Sequence, residues 1–511
     1  MSRRAVLSIL CVALMVLSGL VVFRGVADEG PRVIDCRKLT FYEVMESRLE
    51  AYEETLDWRL KVHPSDLEYL ENVTAETVVY VEVYVLNPRE ATEYSVDLST
   101  NETVAIYRVY QVTKEYVEKF LEIPHDRFYR SRFQPCVCME VEAKYLEAIA
   151  EPPFVYCIRV GPREIPLETL DEPLITSGSV TIEQARTYNK IKYVLQNKDS
   201  DVDKMQIAVI DTGYDSGESL LNGEAEDNIL YAYDFYDDDY TVDDGDNYHG
   251  TTCLDLVARA FGDMGSDDSM YDSSLIYEVL KAGEGDVYKA PVRAAIEWCL
   301  GHDPEVVSMS FGWGPNCYCY SWWCDLFKSG VQSGITFVAA SGNGACANKV
   351  RYPSQSYFVI GVGGYESCDG STAQRWWQWA FPFPKGSDYG TIYYSRLWEE
   401  GLEVYCYPCY YETGDGLATR SVFKPDIYDA AVISELLPDK GTSWATPLVA
   451  ACIALGVYSS GADPGRSQDW VPGYSNLRSA VHSCHTIPVK PDTSSLNGDV
   501  MNCLILWNAF D

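Results

Sequence analysis

Residues 441–447 read GTSWATP, and the apolar run LVAACIALG follows at once at residues 448–456. This pattern predicts a buried helix whose first turn carries the hydroxyl group of Ser443. A serine in that position gains from the helix N-terminus and from a nearby base, and both favour nucleophilic attack. The stretch alone is weak evidence, because Gly, Thr, Ser and Pro also begin ordinary helices as capping residues.

Two motifs further upstream offer partners for this serine. Residues 206–213 read QIAVIDTG, an uncharged run that predicts a buried parallel strand ending in the carboxylate of Asp211. Residues 247–251 read NYHGT and precede apolar residues with helical spacing, so we expect His249 in the first turn of a helix. Each residue alone has an ordinary explanation, such as a turn or a cap, but together the three indicate a nucleophilic triad.

Two more strands are predicted between His249 and Ser443. Residues 337–344 read FVAASGNG, a strand ending in small residues and one amide, Asn343, which can donate to the oxyanion of a tetrahedral intermediate. Residues 306–312 read VVSMSFG and predict a strand whose exposed edge pairs with an extended peptide. These strands would bring an oxyanion donor and a substrate edge to the same site.

Six short motifs, DTG, HGT, SMSFG, AASGN, KPD and GTSWATP, follow one another in this order. In this order they resemble the subtilisin-like serine proteases over about residues 185–511. The resemblance implies an α/β fold with a doubly wound, mostly parallel sheet, and a serine endopeptidase that forms an acyl-enzyme. By this resemblance Ser443 attacks the scissile carbonyl, His249 transfers the proton, Asp211 orients the imidazole and Asn343 donates to the oxyanion.

The same resemblance assigns substrate binding to Ser310, Phe311 and Gly312, which would pair with the substrate as an added strand. The chain departs from the family pattern beneath the histidine, where Leu254 and Asp255 replace small residues. This departure leaves a second hypothesis open, a subtilisin-fold binding protein that has lost catalysis.

An acidic run, DFYDDDYTVDDGD, occupies residues 234–246. So many like charges repel one another unless a cation or water compensates, and alternate residues of a curled loop can offer oxygen ligands to a hard cation. The stretch resembles the calcium loop of thermitase-type subtilases. The resemblance implies a structural calcium ion held by Asp234, Asp237, Asp239, the carbonyl of Thr241 and Asp243. The alternative is a solvated acidic loop.

The overall charge excludes some partners. The chain has 40 Lys and Arg against 76 Asp and Glu, for a formal net charge of −36. That balance argues against nucleic acid or an anionic membrane, because phosphate binding needs a basic face. The resemblance implies protein or peptide substrates and the chain's own propeptide as partners, and we expect a monomer.

The N-terminus indicates export. Arg3 and Arg4 precede an uncharged run over residues 5–23, and small residues follow at Gly25 and Ala27. We predict a signal peptide over residues 1–27 and a secreted or cell-surface protein, with an uncleaved membrane anchor as the alternative.

The cysteines indicate an oxidising compartment. Of 17 cysteines, one lies in the signal, four lie before residue 180 and twelve lie after it. Both counts outside the signal are even, so we expect each part of the chain to close its own disulfides.

The segment before the protease motifs has its own pattern. Residues 31–165 alternate strand, helix, strand, helix, strand, which predicts a small ferredoxin-like α+β domain. Residues 141–155 resemble the last third of subtilisin propeptides, which implies a folding chaperone whose tail occupies the cleft until self-cleavage. The alternative is an unrelated accessory domain. We expect a processing linker at residues 166–184 and an aromatic, Cys-rich insertion at about 366–421.

Overall fold

The computed structural model describes most of the motif-bearing chain, in stretches separated by gaps. The described residues are 20–23, 32–35, 41–85, 119–165, 167, 178–197, 205–219, 221, 225–244, 248–262, 275–314, 321–345, 350–368, 373–375, 377–378, 385–399, 402–409, 420–437, 439–457, 481, 488–490, 498–499 and 501. They fall into two units, one within residues 1–161 and a second that begins at Pro162. Most of the predicted signal peptide and most of the linker lie outside the described residues.

The first unit contains a four-stranded antiparallel sheet with strand order β4-β5-β3-β6. This is the order of a ferredoxin-like layer, as the alternation of residues 31–165 predicted. The strands bury an apolar face that includes Val79, Val81, Val83 and Met139. The elements are β1 (Leu20–Phe23), β2 (Arg32–Asp35), α1 (Phe41–Thr55), α2 (Leu67–Leu70), β3 (Val78–Tyr84), β4 (Arg127–Arg130), β5 (Cys136–Glu142), α3 (Leu146–Ala150) and β6 (Cys157–Gly161).

The cysteines of this unit do not pair as expected. Cys138 and Cys157 are buried thiols. They lie on β5 and β6, which flank β3 on opposite sides, because Cys138 is paired with Glu82 and Cys157 with Tyr84. Two strand spacings separate them by about 9–10 Å, beyond the roughly 7 Å that a disulfide can span between α-carbons. The expectation of two disulfides in this part of the chain is therefore wrong for these residues.

The second unit is an α/β layer structure around a ten-stranded sheet with order β23-β22-β15-β14-β13-β12-β8-β10-β9, in which β21 also pairs with β14. The central strands β9, β10, β8, β12, β13, β14 and β21 are parallel. The strands of this unit are β7 (Glu164–Ile165), β8 (Met205–Asp211), β9 (Ile229–Asp234), β10 (Leu275–Lys281), β11 (Val287–Tyr288), β12 (Val306–Met309), β13 (Thr336–Ala340), β14 (Val359–Cys368), β15 (Ala373–Arg375), β16 (Trp377–Gln378), β17 (Lys385–Gly386), β18 (Gly390–Glu399), β19 (Leu402–Cys409), β20 (Arg420–Lys424), β21 (Ile427–Ala430), β22 (Pro488–Lys490) and β23 (Gly498–Asp499).

Helices cover this sheet in two groups. One group, α6 and α9, packs together and against the central strands, and a second group, α7 and α8, packs together and against β10 and β13. The helices are α4 (Ile182–Tyr188), α5 (Ile191–Asn197), α6 (His249–Ala260), α7 (Lys289–His302), α8 (Ser321–Ser333) and α9 (Thr442–Val457). The predicted doubly wound, mostly parallel sheet is confirmed. Among the helices that the structure describes, none combines the length and apolar character needed to cross a bilayer.

Helix α9 is buried along its entire length, as the apolar run after Ser443 predicted. A helix that is apolar on all sides is stable only inside a protein, where the sheet and neighbouring helices cover it. Pro447 lies within this helix and has no N–H to donate to the carbonyl of residue 443, one turn earlier. That carbonyl therefore needs another donor.

Strand β12 differs from its prediction. It pairs with β8 on one side and with β13 on the other, so residues 306–309 form no exposed edge. The pairing edge lies just beyond the strand, at Phe311 and Trp313. An interior parallel strand has a nearly continuous apolar sequence, and VVSM gave no sign of which neighbour would cover it.

The insertion at about 366–421 contributes a three-stranded antiparallel sheet with order β19-β18-β20. The disulfides expected there concern Cys368, Cys406 and Cys409. Cys368 is the last residue of β14, and the side chains of Cys406 and Cys409 lie outside the described part of the structure.

The thiols give a direct test of the fold. We expect Cys138, Cys157, Cys253 and Cys299 to resist iodoacetamide in the native protein, because burial raises the pKa of the Cys157, Cys253 and Cys299 thiols and all four are enclosed. Denaturation without reductant should expose them to complete alkylation, as measured by peptide mass spectrometry. Alkylation that requires prior reduction would contradict the strand register.

Candidate active site

The carboxylate of Asp211 and the imidazole of His249 meet in the interior of the second unit. Asp211 is the last residue of β8, and His249 is the first residue of α6. The Nδ1 atom of His249 lies 2.6 Å from Oδ1 of Asp211, and both residues are almost fully buried. The structure therefore brings together two of the predicted site residues, which are 38 positions apart in the sequence.

The residues next to this pair hold it in place. Oδ1 of Asp211 also accepts the backbone N–H of Thr212 at 2.9 Å, and the hydroxyl of Thr212 accepts the N–H of Gly250 at 2.9 Å. A β-carbon on Gly250 would lie 2.4 Å from the carbonyl oxygen of Gly213, so only glycine fits after the histidine. Residues of the DTG motif and of the HGT motif thus contact each other directly.

Burial and charge act on His249 in opposite directions. Burial by itself lowers the pKa of the imidazole, since it disfavours the charged form. Burial is the largest single influence, but the Asp211 carboxylate and the Cys253 thiol together outweigh it and raise the pKa well above its ordinary value of 6.5. The group is therefore a stronger base than a free histidine, which suits it to accept a proton from a hydroxyl group.

Ser443 lies in the first turn of α9, beside this pair. Its Oγ donates to the carbonyl of Ser310 at 2.9 Å, and its own carbonyl accepts Oγ of Ser310 at 2.9 Å. Ser310 therefore supplies the donor that Pro447 cannot. The reciprocal bonds fix the nucleophile candidate against the end of β12.

Cys253 joins the histidine helix to the serine helix. Its Sγ lies 3.9 Å from Nδ1 of His249 and 3.9 Å from the carbonyl oxygen of Ser443. The rings of His249 and Trp444 pack with centroids 5.2 Å apart. The structure thus places Asp211, His249 and Ser443 in one buried cluster. The sequence gave one sign of this role for Cys253, its position one turn after the histidine.

Asn343 is held at the N-terminus of the same helix. Its Oδ1 accepts both the backbone N–H and the hydroxyl of Thr442, each at 3.0 Å. Because the amide oxygen is committed to Thr442, the amino group Nδ2 is the end that can donate to a substrate oxygen. Thr442 is a positioning residue that the motif reading did not identify.

The departures beneath His249 form a polar network. Asp255 is fully buried and accepts the hydroxyl of Tyr214 at 3.2 Å, the N–H of Ala225 at 3.3 Å and the hydroxyl of Ser219. Tyr214 follows Asp211 by three residues, so this carboxylate ties the loop after β8 to helix α6. Leu254 is buried in the core. The unusual residues are therefore accommodated with the Asp211–His249 contact intact.

A segment of the chain itself lies along the predicted substrate edge. Leu167 forms an antiparallel bridge with Phe311, and β7 pairs antiparallel with β11. The N–H of Lys289 donates to the carbonyl of Arg163 at 3.0 Å. Residues 164–165 and Leu167 thus pair with their neighbours as extended chain, in the way proposed for a bound peptide at Ser310, Phe311 and Gly312.

The acidic loop compensates part of its charge internally. Oδ1 of Asp234 accepts the N–H groups of Tyr236 and Asp237, and its Oδ2 lies 3.0 Å from the ammonium of Lys281. Oδ1 of Asp239 accepts the N–H of Thr241 at 2.7 Å. These contacts engage the carboxylates of two of the five predicted calcium ligands, Asp234 and Asp239, and the backbone N–H groups of two more, Asp237 and Thr241.

This loop is not a preformed calcium cage. Calcium takes six to eight oxygens at about 2.3–2.6 Å, so its ligands lie close to one another. Among the described residues, the group of three potential ligand side chains whose atoms lie within 4.8 Å of one another is Asp211, His249 and Cys253, not the acidic loop. The side-chain ligand atoms as placed do not fit a bound calcium ion. The proposed peptide hydrolysis does not require one.

The comparisons with known proteins agree with the geometry. The model of the Subtilase family matches residues 203–460. Among curated proteins, the chain is 21% identical to the minor extracellular protease Epr of Bacillus subtilis (strain 168) over 52% of this chain and 39% of that protein. It is 26% identical to the alkaline serine exoprotease A of Vibrio alginolyticus over 37% and 33% of the two chains, respectively. It is 28% identical to the thermophilic serine proteinase of Bacillus sp. (strain AK1) over 32% and 39%. The chain thus spans less than two-fifths of each relative.

Two solved structures are also similar. Fervidolysin from Fervidobacterium pennivorans, described as a keratinolytic enzyme related to subtilisin, matches with a TM-score of 0.45 and 15% identity, covering 85% of this chain and 61% of that one. Sphericase matches with a TM-score of 0.35 and 20% identity, covering 57% of this chain and 88% of that one.

The raised pKa of His249 leads to a measurable titration. We expect ¹⁵N-histidine NMR of the Ser443→Ala protein to show His249 titrating above pH 6.5, and an added Asp211→Asn change to lower its pKa, because the carboxylate no longer opposes the effect of burial. The folded pKa exceeds the unfolded value, so the pair's stabilisation is complete below about pH 6.5 and is lost as pH rises through the folded pKa. With six histidines in the chain, a His249→Gln variant assigns the resonance. An unshifted His249 would contradict the contact.

Proposed function

Because the chain belongs to the subtilase family, we propose that it is a secreted serine endopeptidase that hydrolyses protein or peptide substrates through Asp211, His249 and Ser443. The observation that carries the proposal is the buried 2.6 Å contact between His249 and Asp211 beside the first turn of the serine helix. If Ser443 were only a helix cap, Asp211 only a turn residue and His249 only a core residue, nothing would require the three to lie together.

The proposed mechanism gives each of these residues one role. His249 takes the hydroxyl proton of Ser443 as its Oγ attacks the substrate carbonyl, and Asp211 holds the imidazole and stabilises the imidazolium that forms. The negative charge on the carbonyl oxygen is met by Nδ2 of Asn343. Collapse of the tetrahedral intermediate breaks the C–N bond, the amine leaves with the proton from His249, and water then hydrolyses the acyl-enzyme by the reverse sequence.

We further propose that the enzyme is made as a zymogen. In this view residues 31–165 form the propeptide, residues 166–184 contain the processing region, and the protease occupies residues 185–511 with its insertion at about 366–421. The pairing of Leu167 with Phe311 supports the proposal, because a propeptide tail must lie along the substrate edge before it is cut. The monomeric state, the signal over residues 1–27 and secretion remain predictions of the same proposal.

Calcium is retained as a proposal of its own. Binding would require the loop to close so that Asp237, Asp239, Asp243 and the carbonyl of Thr241 converge, with Asp234 exchanging Lys281 for the ion. The density of carboxylates in residues 234–246 supports it.

Labelling and self-cleavage test the enzymatic proposal. We expect a fluorophosphonate to label the wild-type chain and the chain to shorten on incubation, whereas Ser443→Ala should show neither and lose at least about a thousandfold of any peptidase activity. Ser434→Ala, a change of an exposed serine outside the cluster, is the matched control and should behave as wild type. If wild type and Ser443→Ala both stay full length and unlabelled, the alternative of a non-catalytic binding protein is correct.

Thermal melting tests the calcium proposal. A site on the folded chain stabilises it by about 2.7 kcal/mol at a hundredfold excess of calcium over Kd, which should raise Tm by several degrees relative to EGTA. Asp239→Asn should abolish this response. Asp238→Asn, a neighbour that accepts the hydroxyl of Tyr233 and is not a predicted ligand, should keep it. Identical melting curves in calcium and EGTA would rule the site out.

A further inference from the structure

We propose that Arg351 selects substrates that carry a glutamate side chain on the residue whose carbonyl group Ser443 attacks. The inference rests on the proposed peptidase function and adds the substrate class of that same site. It comes from a charged side chain set between the two backbone segments that border the cluster of Asp211, His249 and Ser443.

The first step is the register of a bound strand. Leu167 pairs antiparallel with Phe311, so the next residue of any strand in this register stands opposite Ser310. The carbonyl of Ser310 accepts the hydroxyl of Ser443 at 2.9 Å, which places the nucleophile at that position. The residue following the one opposite Phe311 therefore presents its carbonyl to Ser443.

The second step is the surroundings of that residue's side chain. A carbonyl held between Ser443 and Asn343 leaves the side chain on the same α-carbon beside the turn of residues 342–344 and the segment at Gly312. Glycines at 312, 342 and 344 contribute no side chains there. The absence of these side chains lets Arg351 and Asp388 come within 2.5–2.9 Å of where the β-carbons would lie.

Arg351 lies between these glycine segments. A β-carbon on Gly312 would lie 2.8 Å from Cβ of Arg351, and one on Gly342 would lie 2.9 Å from its Cγ and 3.1 Å from its Cδ. The Nη1 atom donates to the carbonyl of Gly312 at 3.4 Å, and the backbone N–H of Arg351 donates to Ser341 at 2.9 Å. The stem of this side chain thus runs from one border of the substrate space to the other.

Asp388 approaches the same glycines from the interior. Its Oδ2 would lie 2.5 Å from a β-carbon on Gly342, and its Oδ1 2.9 Å from one on Gly344. Asp388 is 2% exposed, whereas Arg351 is only partly buried. A guanidinium has five N–H donors, so it can serve a buried carboxylate and still donate to a second one from the substrate. Of these two charged side chains, Arg351 is therefore the more exposed.

The chain's own sequence agrees with this preference. The residue that follows Leu167 in the sequence is Glu168, which lies outside the described residues. A substrate strand with this sequence in the register of Leu167 would offer a glutamate at the attacked carbonyl. Self-cleavage after Glu168 would use the selectivity that Arg351 provides. In a chain of net charge −36, acidic substrates gain nothing at long range, so a local cation is needed to retain them.

The test compares matched peptide substrates with the full chain after self-processing. Succinyl-Ile-Pro-Leu-Xaa-p-nitroanilides, with Glu, Gln, Lys or Phe as Xaa, keep residues 165–167 and vary the selected position. We expect kcat/KM for Glu to exceed that for Gln by about ten- to a hundredfold, since a charge-assisted pair replaces a neutral contact. The Glu-to-Gln ratio should fall as NaCl rises from 0.02 to 0.5 M.

Variants identify the group responsible. Arg351→Met should reduce the Glu-to-Gln ratio to within about threefold of unity, Arg351→Lys should retain part of it, and Arg351→Glu should favour Lys. Lys192→Gln, which removes one exposed cation from helix α5, is the control and should leave the ratio unchanged. The ratio is read within each variant, so a general loss of rate does not affect it.

The outcomes separate this inference from the proposed function. An enzyme that a fluorophosphonate labels but that prefers Phe, or cleaves Glu and Gln peptides equally, overturns the role of Arg351 and leaves the peptidase proposal standing. A preference for Lys would identify Asp388 as the selecting group and also overturn it. A chain that is neither labelled nor active on any of the four peptides overturns both.

Discussion

The 2.6 Å contact between Nδ1 of His249 and Oδ1 of Asp211 is the constraint on which the rest of the second unit depends. Two ionisable groups in a dry interior are costly, and breaking such a pair leaves an uncompensated charge that destabilises a protein by about 3–5 kcal/mol. The chain meets this cost with neighbouring donors and a close backbone approach at Gly250. The end of strand β8 and the start of helix α6 must therefore stay in contact. The DTG and HGT motifs supply the residues that make this contact.

The serine helix is fixed by a second constraint, the carbonyl of Ser443. Pro447 removes its helical donor, and the hydroxyl of Ser310 replaces it from the end of β12. The same helix receives Asn343 at its first residue and Cys253 from α6. Two strand ends and helix α6 thus converge on the first turn of α9. A proline that would weaken an isolated helix instead directs this one toward its neighbours.

Much of this arrangement could be predicted because each motif combines a local structure with a chemical group. The small residues around Asp211, His249 and Ser443 mark strand ends and helix starts, and parallel strands bring such ends to one edge of the sheet. The six motifs in order therefore specified the fold class. The ferredoxin-like order of the first unit also followed from its alternating pattern.

Other features depend on distances that a linear sequence does not contain. An even count of cysteines suggested pairs, yet Cys138 and Cys157 stand on opposite sides of β3. The hydrogen bonds of Asp255 join it to residues 30 to 41 positions away. The position of Arg351 between Gly312 and Gly342 is visible only in the folded structure, because these glycines lie on different segments. In each case the sequence identified the side chain but not the residues that it contacts in the fold.

The charge balance gives one more constraint on function. Two buried cations of this acidic chain stand against carboxylates, Lys281 with Asp234 at 3.0 Å and Lys424 with Asp426 at 2.5 Å. Each pair carries no net charge, and charges on the surface are screened by water and salt. Selection of substrate charge must then come from groups within reach of the bound residue. The guanidinium of Arg351 lies between the segments at Gly312 and Gly342, close enough to a bound substrate residue for its charge to act despite screening by salt.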